Sequence, residues 1–144
     1  MIFSKIAKVT VLTTVLTFEA FAVQGRENGS KNYDWDPLMD AITHVESRGD
    51  SRAVSGRSCG AMQITPILVQ QCNIILKERG DKRRYTLNDR FSVKKSREMF
   101  VLIQSYYNQT NNVEKAIRIW NGGPRYKVRS TQGYYKRVMR AYNN

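Results

Sequence analysis

Between Ile42 and Pro66 the chain reads ITHVESRGDSRAVSGRSCGAMQITP, and this stretch limits the possible folds more than any other. Leu38, Ile42 and Val45 stand at steps of four and three, which makes one apolar helical face. Asp36-Pro37 marks its start, with the carboxylate as N-cap and proline at the first helical position, and Gly49 marks its end. A polar, glycine-punctuated loop follows, and Thr65-Pro66 opens the next helix. Glu46 lies one position beyond the apolar stripe, rotated by about 100° from Val45. It is therefore expected at the rim of the buried face, in the last helical turn. The helix dipole and partial desolvation both oppose ionisation there, so the acid is expected to hold its proton above the usual carboxylate range.

The rest of the chain reads mainly as helix. Leu68, Cys72, Ile75 and Leu76 share a face ahead of Gly80. Asp81 to Asp89 is basic and polar and reads as a surface loop. Ser92 caps a helix with Val93, Phe100, Ile103 and Tyr107 on one side. Another begins at Asn112 with Val113, Ala116, Ile117 and Trp120, and a last one from Thr131 carries Tyr134, Val138 and Tyr142.

The first 22 residues read as a signal peptide. Lys5 and Lys8 precede the apolar run Val9 to Phe18, and Ala20-Phe21-Ala22 has the small-x-small form that signal peptidase accepts. The run is broken by Thr10, Thr13, Thr14 and Thr17 and is short of the roughly 20 residues a membrane span requires, so no stable membrane anchor is expected. Residues 23–35 read as a flexible lead-in and 36–144 as one domain. The chain has 24 basic and 12 acidic residues, a net charge of +12, which falls only to +11 without the leader. That balance suits an anionic partner. The clusters Lys82-Arg83-Arg84, Lys94-Lys95, Arg125-Lys127-Arg129 and Lys136-Arg137 lie in separate segments and carry no nucleic-acid-binding signature. A solvated basic surface is the simpler reading, and no nucleic acid is expected. His44 is the only histidine, and neither a zinc spacing nor a phosphate loop is present; no metal and no cofactor are expected. Cys59 and Cys72 either form a bridge closing a loop of about 14 residues, worth roughly 3 kcal/mol, or remain as buried free thiols.

A series of short motifs, in order and at matching spacing, carries a resemblance. Glu46-Ser47, Ala53-Val54-Ser55, Gly60-Ala61-Met62-Gln63 with Pro66, Trp120-Asn121-Gly122-Gly123-Pro124 and the segment Thr131 to Val138 with Tyr134 resemble the soluble lytic transglycosylase family, the type with a goose-lysozyme-like domain. The departures are a one-residue deletion between Ser55 and Gly60, Ala61 for leucine, Trp120 for tyrosine, Gly122 for alanine and Ser130 for glutamate. The resemblance implies an α+β, mainly α-helical, lysozyme-like single domain with a small irregular β segment between Ser51 and Met62. It implies that Glu46 is the catalytic acid and then base, and that Tyr134 donates a hydrogen bond to it. Ser55 and Gln63 would hold the muramoyl residue, Met62 and Trp120 would give the sugars apolar contact, and Asn121 would shape the cleft wall. The implied partner is peptidoglycan, cut between N-acetylmuramic acid and N-acetylglucosamine by a monomeric, exported enzyme, periplasmic or secreted, that leaves 1,6-anhydromuramic ends. Most glycosidases need two carboxylates. Asp50, the nearest in sequence, reads instead as part of the turn that ends the helix. The rival readings are a hydrolase acting on the same bond, a peptidoglycan-binding module without activity, and a secreted basic protein that binds nucleic acid.

Overall fold

The computed structural model describes residues 33–144, so the expected signal peptide and most of the expected lead-in lie outside the described residues. Among the described residues five α-helices, α1 (Asp36–Ser47), α2 (Pro66–Glu78), α3 (Val93–Tyr107), α4 (Val113–Gly122) and α5 (Val128–Tyr142), surround one core. Between α1 and α2 a two-stranded antiparallel hairpin pairs β1 (Val54–Ser55) with β2 (Ser58–Cys59). The architecture is mainly α with a small β element, the lysozyme-like α+β class.

The core is built from the stripes. Leu38, Ile42, Cys72, Ile75, Phe100, Ile103, Ala116, Ile117 and Val138 are buried, joined by Met39, Ala41, Met62, Ile64, Val69 and Met99. Trp35, Phe100 and Trp120 form an aromatic chain through it, with ring centroids 5.7 and 5.1 Å apart. α5 packs on both α1 and α4, which brings the first and last helices side by side although they are far apart in sequence.

Local chemistry sets the ends. Thr65, Ser92 and Asn112 cap α2, α3 and α4 by accepting from the N–H of Leu68, Lys95 and Lys115. At α1 the expected cap is corrected. Trp35 is the N-cap position and Asp36 the first helical residue, because Arg97 of α3 takes the Asp36 carboxylate at 2.9 Å. The Asp36 N–H turns to Asp34 Oδ1 at 2.9 Å. The helix stops at Arg48, which adopts left-handed φ of 56° one residue before Gly49. α5 starts at Val128, ahead of Thr131, because the hydroxyls of Ser130 and Thr131 donate back to Lys127 O at 2.9 and 3.0 Å and hold its first turn.

Two other expectations change. Val93 is 43% exposed and lies off the buried face of α3, which runs instead through Ser96, Met99, Phe100 and Ile103. The segment 81–89 is an exposed loop as expected only as far as Thr86, and one of its residues, Tyr85, is buried. Asn73 clamps the backbone of Tyr85, donating to its carbonyl and accepting from its N–H, both at 2.8 Å. A reciprocal cap between Thr86 and Asp89 then starts a 3-10 helix, Leu87–Phe91. Of the two states open to the cysteines, the structure has the free thiols. Cys59 lies buried in β2 and Cys72 buried in α2, where burial pushes its thiol up to about 12.

Candidate active site

Glu46 projects from the last turn of α1 toward α5, where Tyr134 Oη donates to its Oε1 at 2.7 Å. Glu46 is half-buried and Tyr134 buried. Burial raises the Glu46 pKa; the Tyr134 hydrogen bond and the nearby Arg137 guanidinium pull it down, with burial the larger effect. The Tyr134 phenol is itself pushed well above its ordinary range by burial and by the Glu46 charge, so it remains a donor. The pair therefore offers a carboxyl poised to keep a proton and a hydroxyl that fixes where that proton sits.

The loop between α1 and α2 is held from three sides. From α1, Ser47 Oγ donates to Ala61 O at 2.8 Å. From α4, the Trp120 indole N–H donates to Met62 O at 3.3 Å. From the 3-10 helix, Arg90 Nη1 reaches Arg57 O at 3.1 Å and Ile64 O at 3.4 Å. Within the loop, Gly60 N–H donates to Ala53 O at 2.8 Å, and the hairpin turns on Gly56, whose φ of 58° suits the first position of a two-residue turn. Gln63 takes a left-handed φ of 52°, and its side-chain amide donates to Gly60 O at 2.9 Å and to Ala53 O at 3.4 Å. These bonds tie the loop back on itself.

The sequence-predicted residues divide into two groups. Glu46 and Tyr134 are in contact, Ser55 and Asn121 are exposed, and Gln63 is half-buried beside the hairpin. Met62 and Trp120 are placed differently from the expectation of apolar contact with sugars. Met62 is fully buried and Trp120 is 8% exposed, both in the core cluster. Packing on Phe100 and the bond to Met62 O turn the Trp120 ring inward, so these side chains support the loop from behind. Ser130 is exposed and bonds only its own helix turn. Gly122 has a steric reason: a Cβ there would meet Thr131 Cγ2 at 2.8 Å and Tyr126 Cβ at 2.9 Å. Asp50 caps its own turn, accepting from the Arg52 N–H at 2.8 Å.

Three site-shaping residues were given no role by the sequence reading. Ser47 anchors the loop; Arg137 stands by the acid, 5.7 Å over the Tyr134 ring. Arg118 is the least expected: its buried guanidinium pairs with Glu114 at 2.7 Å and reaches Val128 O, Thr131 Oγ1 and Gln132 Oε1 while stacking 4.5 Å over Tyr135. It fixes the start of α5, and with it Tyr134, onto α4. Its place on the α4 repeat, between Ile117 and Ile119, was the only available hint. Among the described residues no three of His, Cys, Asp and Glu come together in a metal-sized group.

The family model for the Transglycosylase SLT domain matches residues 25–143. The chain belongs to the transglycosylase SLT family. No curated protein and no solved structure matches it. The family is one of peptidoglycan transglycosylase-type proteins acting outside the cytoplasm. Among the described residues of this SLT domain, no helix is long and apolar enough to cross a membrane.

Proposed function

We propose that the domain is an exported, periplasmic or secreted, lytic transglycosylase that cuts the β-1,4 bond between N-acetylmuramic acid and N-acetylglucosamine. The observation that carries this reading is the 2.7 Å bond from Tyr134 to a desolvated Glu46. A protonated Glu46 gives its proton to the glycosidic oxygen as the bond to the muramic anomeric carbon breaks. The 6-hydroxyl of the same sugar closes on that carbon, and the Glu46 carboxylate takes the hydroxyl proton. No water is consumed, and one residue serves as acid and then base, which requires a pKa near the working pH. The Asp50 carboxylate is engaged in its own turn, which favours this one-acid scheme over hydrolysis with a second carboxylate. In this reading Ser55, Gln63 and Asn121 offer polar groups to the glycan, while the buried Met62 and Trp120 support the loop from within the core.

The test is Glu46→Gln, which keeps the shape and removes the transferable proton. Clearing of a wall suspension should fall by roughly two to four orders of magnitude. Undiminished clearing by a folded variant would remove Glu46 from the mechanism.

A further inference from the structure

A recess of about 700 Å³ lies between α3, the C-terminal end of α2 and the segment that follows it, and neither Glu46 nor Tyr134 lines it. Tyr85 and Leu102, both buried, form its floor, and Val93 and Val101, 43% and 42% exposed, form its α3 wall. The sequence of α3 explains the wall. Ser96, Met99, Phe100 and Ile103 close the core, while Val93, Arg97, Val101 and Ser105 stand at four-residue steps along a second ridge. The two valines on that ridge stay in water although each would gain by being covered.

Arg79, Arg83, Lys94 and Arg97 border the same recess, drawn together from segments that are separate in the sequence. Two of these cations are already neutralised. Arg97 holds Asp36 and Asp40 at 2.9 and 2.8 Å, and Arg83 holds Asp81 at 2.7 Å. Glu98, the carboxylate in the lining, accepts from Lys95 Nζ at 3.3 Å and from Tyr85 Oη at 3.4 Å. Lys94 and Arg79 remain, and among the described residues neither holds a carboxylate. Lys94 stands in the first turn of α3, whereas Arg79 donates to Ser105 Oγ in its last turn at 3.0 Å. About eleven residues of helix, roughly 16 Å of rise, separate the two positions. The recess is thus an apolar trough with a free cation at either end.

A matching occupant carries an apolar stripe with acidic groups at its two ends, about three helical turns apart. An amphipathic helix supplies both through side chains at three- and four-residue steps. Other occupants fit the trough less well. A bilayer is flat and does not follow a concavity, nucleic acid brings charge without an apolar face, and a second copy of a chain with net charge +12 brings like charge. We propose that the trough along α3 is a docking site for an acidic amphipathic helix of a partner protein. This goes beyond the catalytic reading and does not rest on it, because docking is measured without cutting any wall.

The test uses the full chain and fluorescence anisotropy at low salt. The probe is a labelled alanine-based helical peptide of about fifteen residues, with a leucine stripe and glutamates near both ends. One control peptide has the same composition with the stripe scrambled, and another has lysine in place of each glutamate. The probe should bind at least about tenfold tighter than either control. Val101→Gln, Lys94→Gln and Arg79→Gln should each weaken it about three- to fivefold; all three side chains are exposed, and melting curves check that the variants stay folded. Lys136→Gln, an exposed position on α5 outside the recess, makes the same charge change and should leave binding unaltered. Equal binding of probe and scrambled peptide would overturn the proposal, as would a loss with Lys136→Gln equal to that with Lys94→Gln, which would mean unspecific attraction to a basic surface. Two further results would also overturn it by naming another occupant. One is sedimentation with anionic phosphatidylglycerol vesicles that Val101→Gln abolishes, and the other is a dimer in sedimentation equilibrium that Val101→Gln dissociates.

Discussion

Gly60 is the residue on which the loop between α1 and α2 depends most directly. Its φ is +79°, and a Cβ built there would stand 1.8 Å from Arg90 O and 2.8 Å from Arg90 C. Both are backbone atoms of the 3-10 helix, so no side-chain rotation relieves the collision. In Gly60→Ala the left-handed backbone costs about 1–2 kcal/mol, and forcing the two segments apart adds roughly 1–3 kcal/mol. At about 4 °C per kcal/mol for a domain of this size, the melting temperature should drop by roughly 8–20 °C. Gly56→Ala is the internal control. Gly56 has φ +58° with nothing within 4 Å of the added Cβ, so it carries the backbone cost alone, a drop of about 4–8 °C. Thermal unfolding followed by far-ultraviolet circular dichroism, both variants in one buffer, reads the difference. Wall clearing by Gly60→Ala below its melting point should also fall, because Ala61, Met62 and Gln63 follow directly. Equal melting temperatures for the two variants would refute the close approach of the loop to Arg90.

Three further outcomes follow from the site. In Tyr134→Phe the bond that lowers the Glu46 pKa is lost, so that pKa rises further; the alkaline limb of the activity profile, where Glu46 gives up its proton, should move to higher pH, and an unmoved limb would separate Tyr134 from the acid. Arg118→Met strips partners from Val128 O, Thr131 and Gln132, and because Glu114 is half-exposed and regains water the cost should be about 3 kcal/mol by urea unfolding; kcat should fall with it as Tyr134 loosens, and full stability would contradict the anchoring role. Thiol titration of the denatured, unreduced protein should count two free cysteines, and none would mean that Cys59 and Cys72 pair.

The amphipathic stripes were legible because burial of one helical face leaves a period in the sequence, and the caps at Thr65, Ser92 and Asn112 because a hydroxyl or amide before an apolar repeat has one common use. Glu46 and Tyr134 were legible only jointly, through motifs 88 residues apart that the packing of α5 on α1 brings together. Competition between distant partners left no such trace. Asp36 was misread as a cap because Arg97, 61 residues away, claims its carboxylate. Arg118 was missed because a buried guanidinium and a solvated one look alike until Thr131 and Gln132 are placed around it. The Trp120 motif signalled aromatic surface, but the ring direction is set by Phe100 and Met62 O, which are known only once the helices have packed.

Whether Glu46 works alone is tested most directly by the chemistry of the cut ends. Purified peptidoglycan is digested with the wild-type chain and the released muropeptides are weighed by mass spectrometry, without borohydride reduction. The one-acid account predicts fragments ending in 1,6-anhydromuramic acid, one water lighter than hydrolysis products, from the first time point. Reducing ends from the outset would contradict it, show that water is the nucleophile, and turn attention to Asp50.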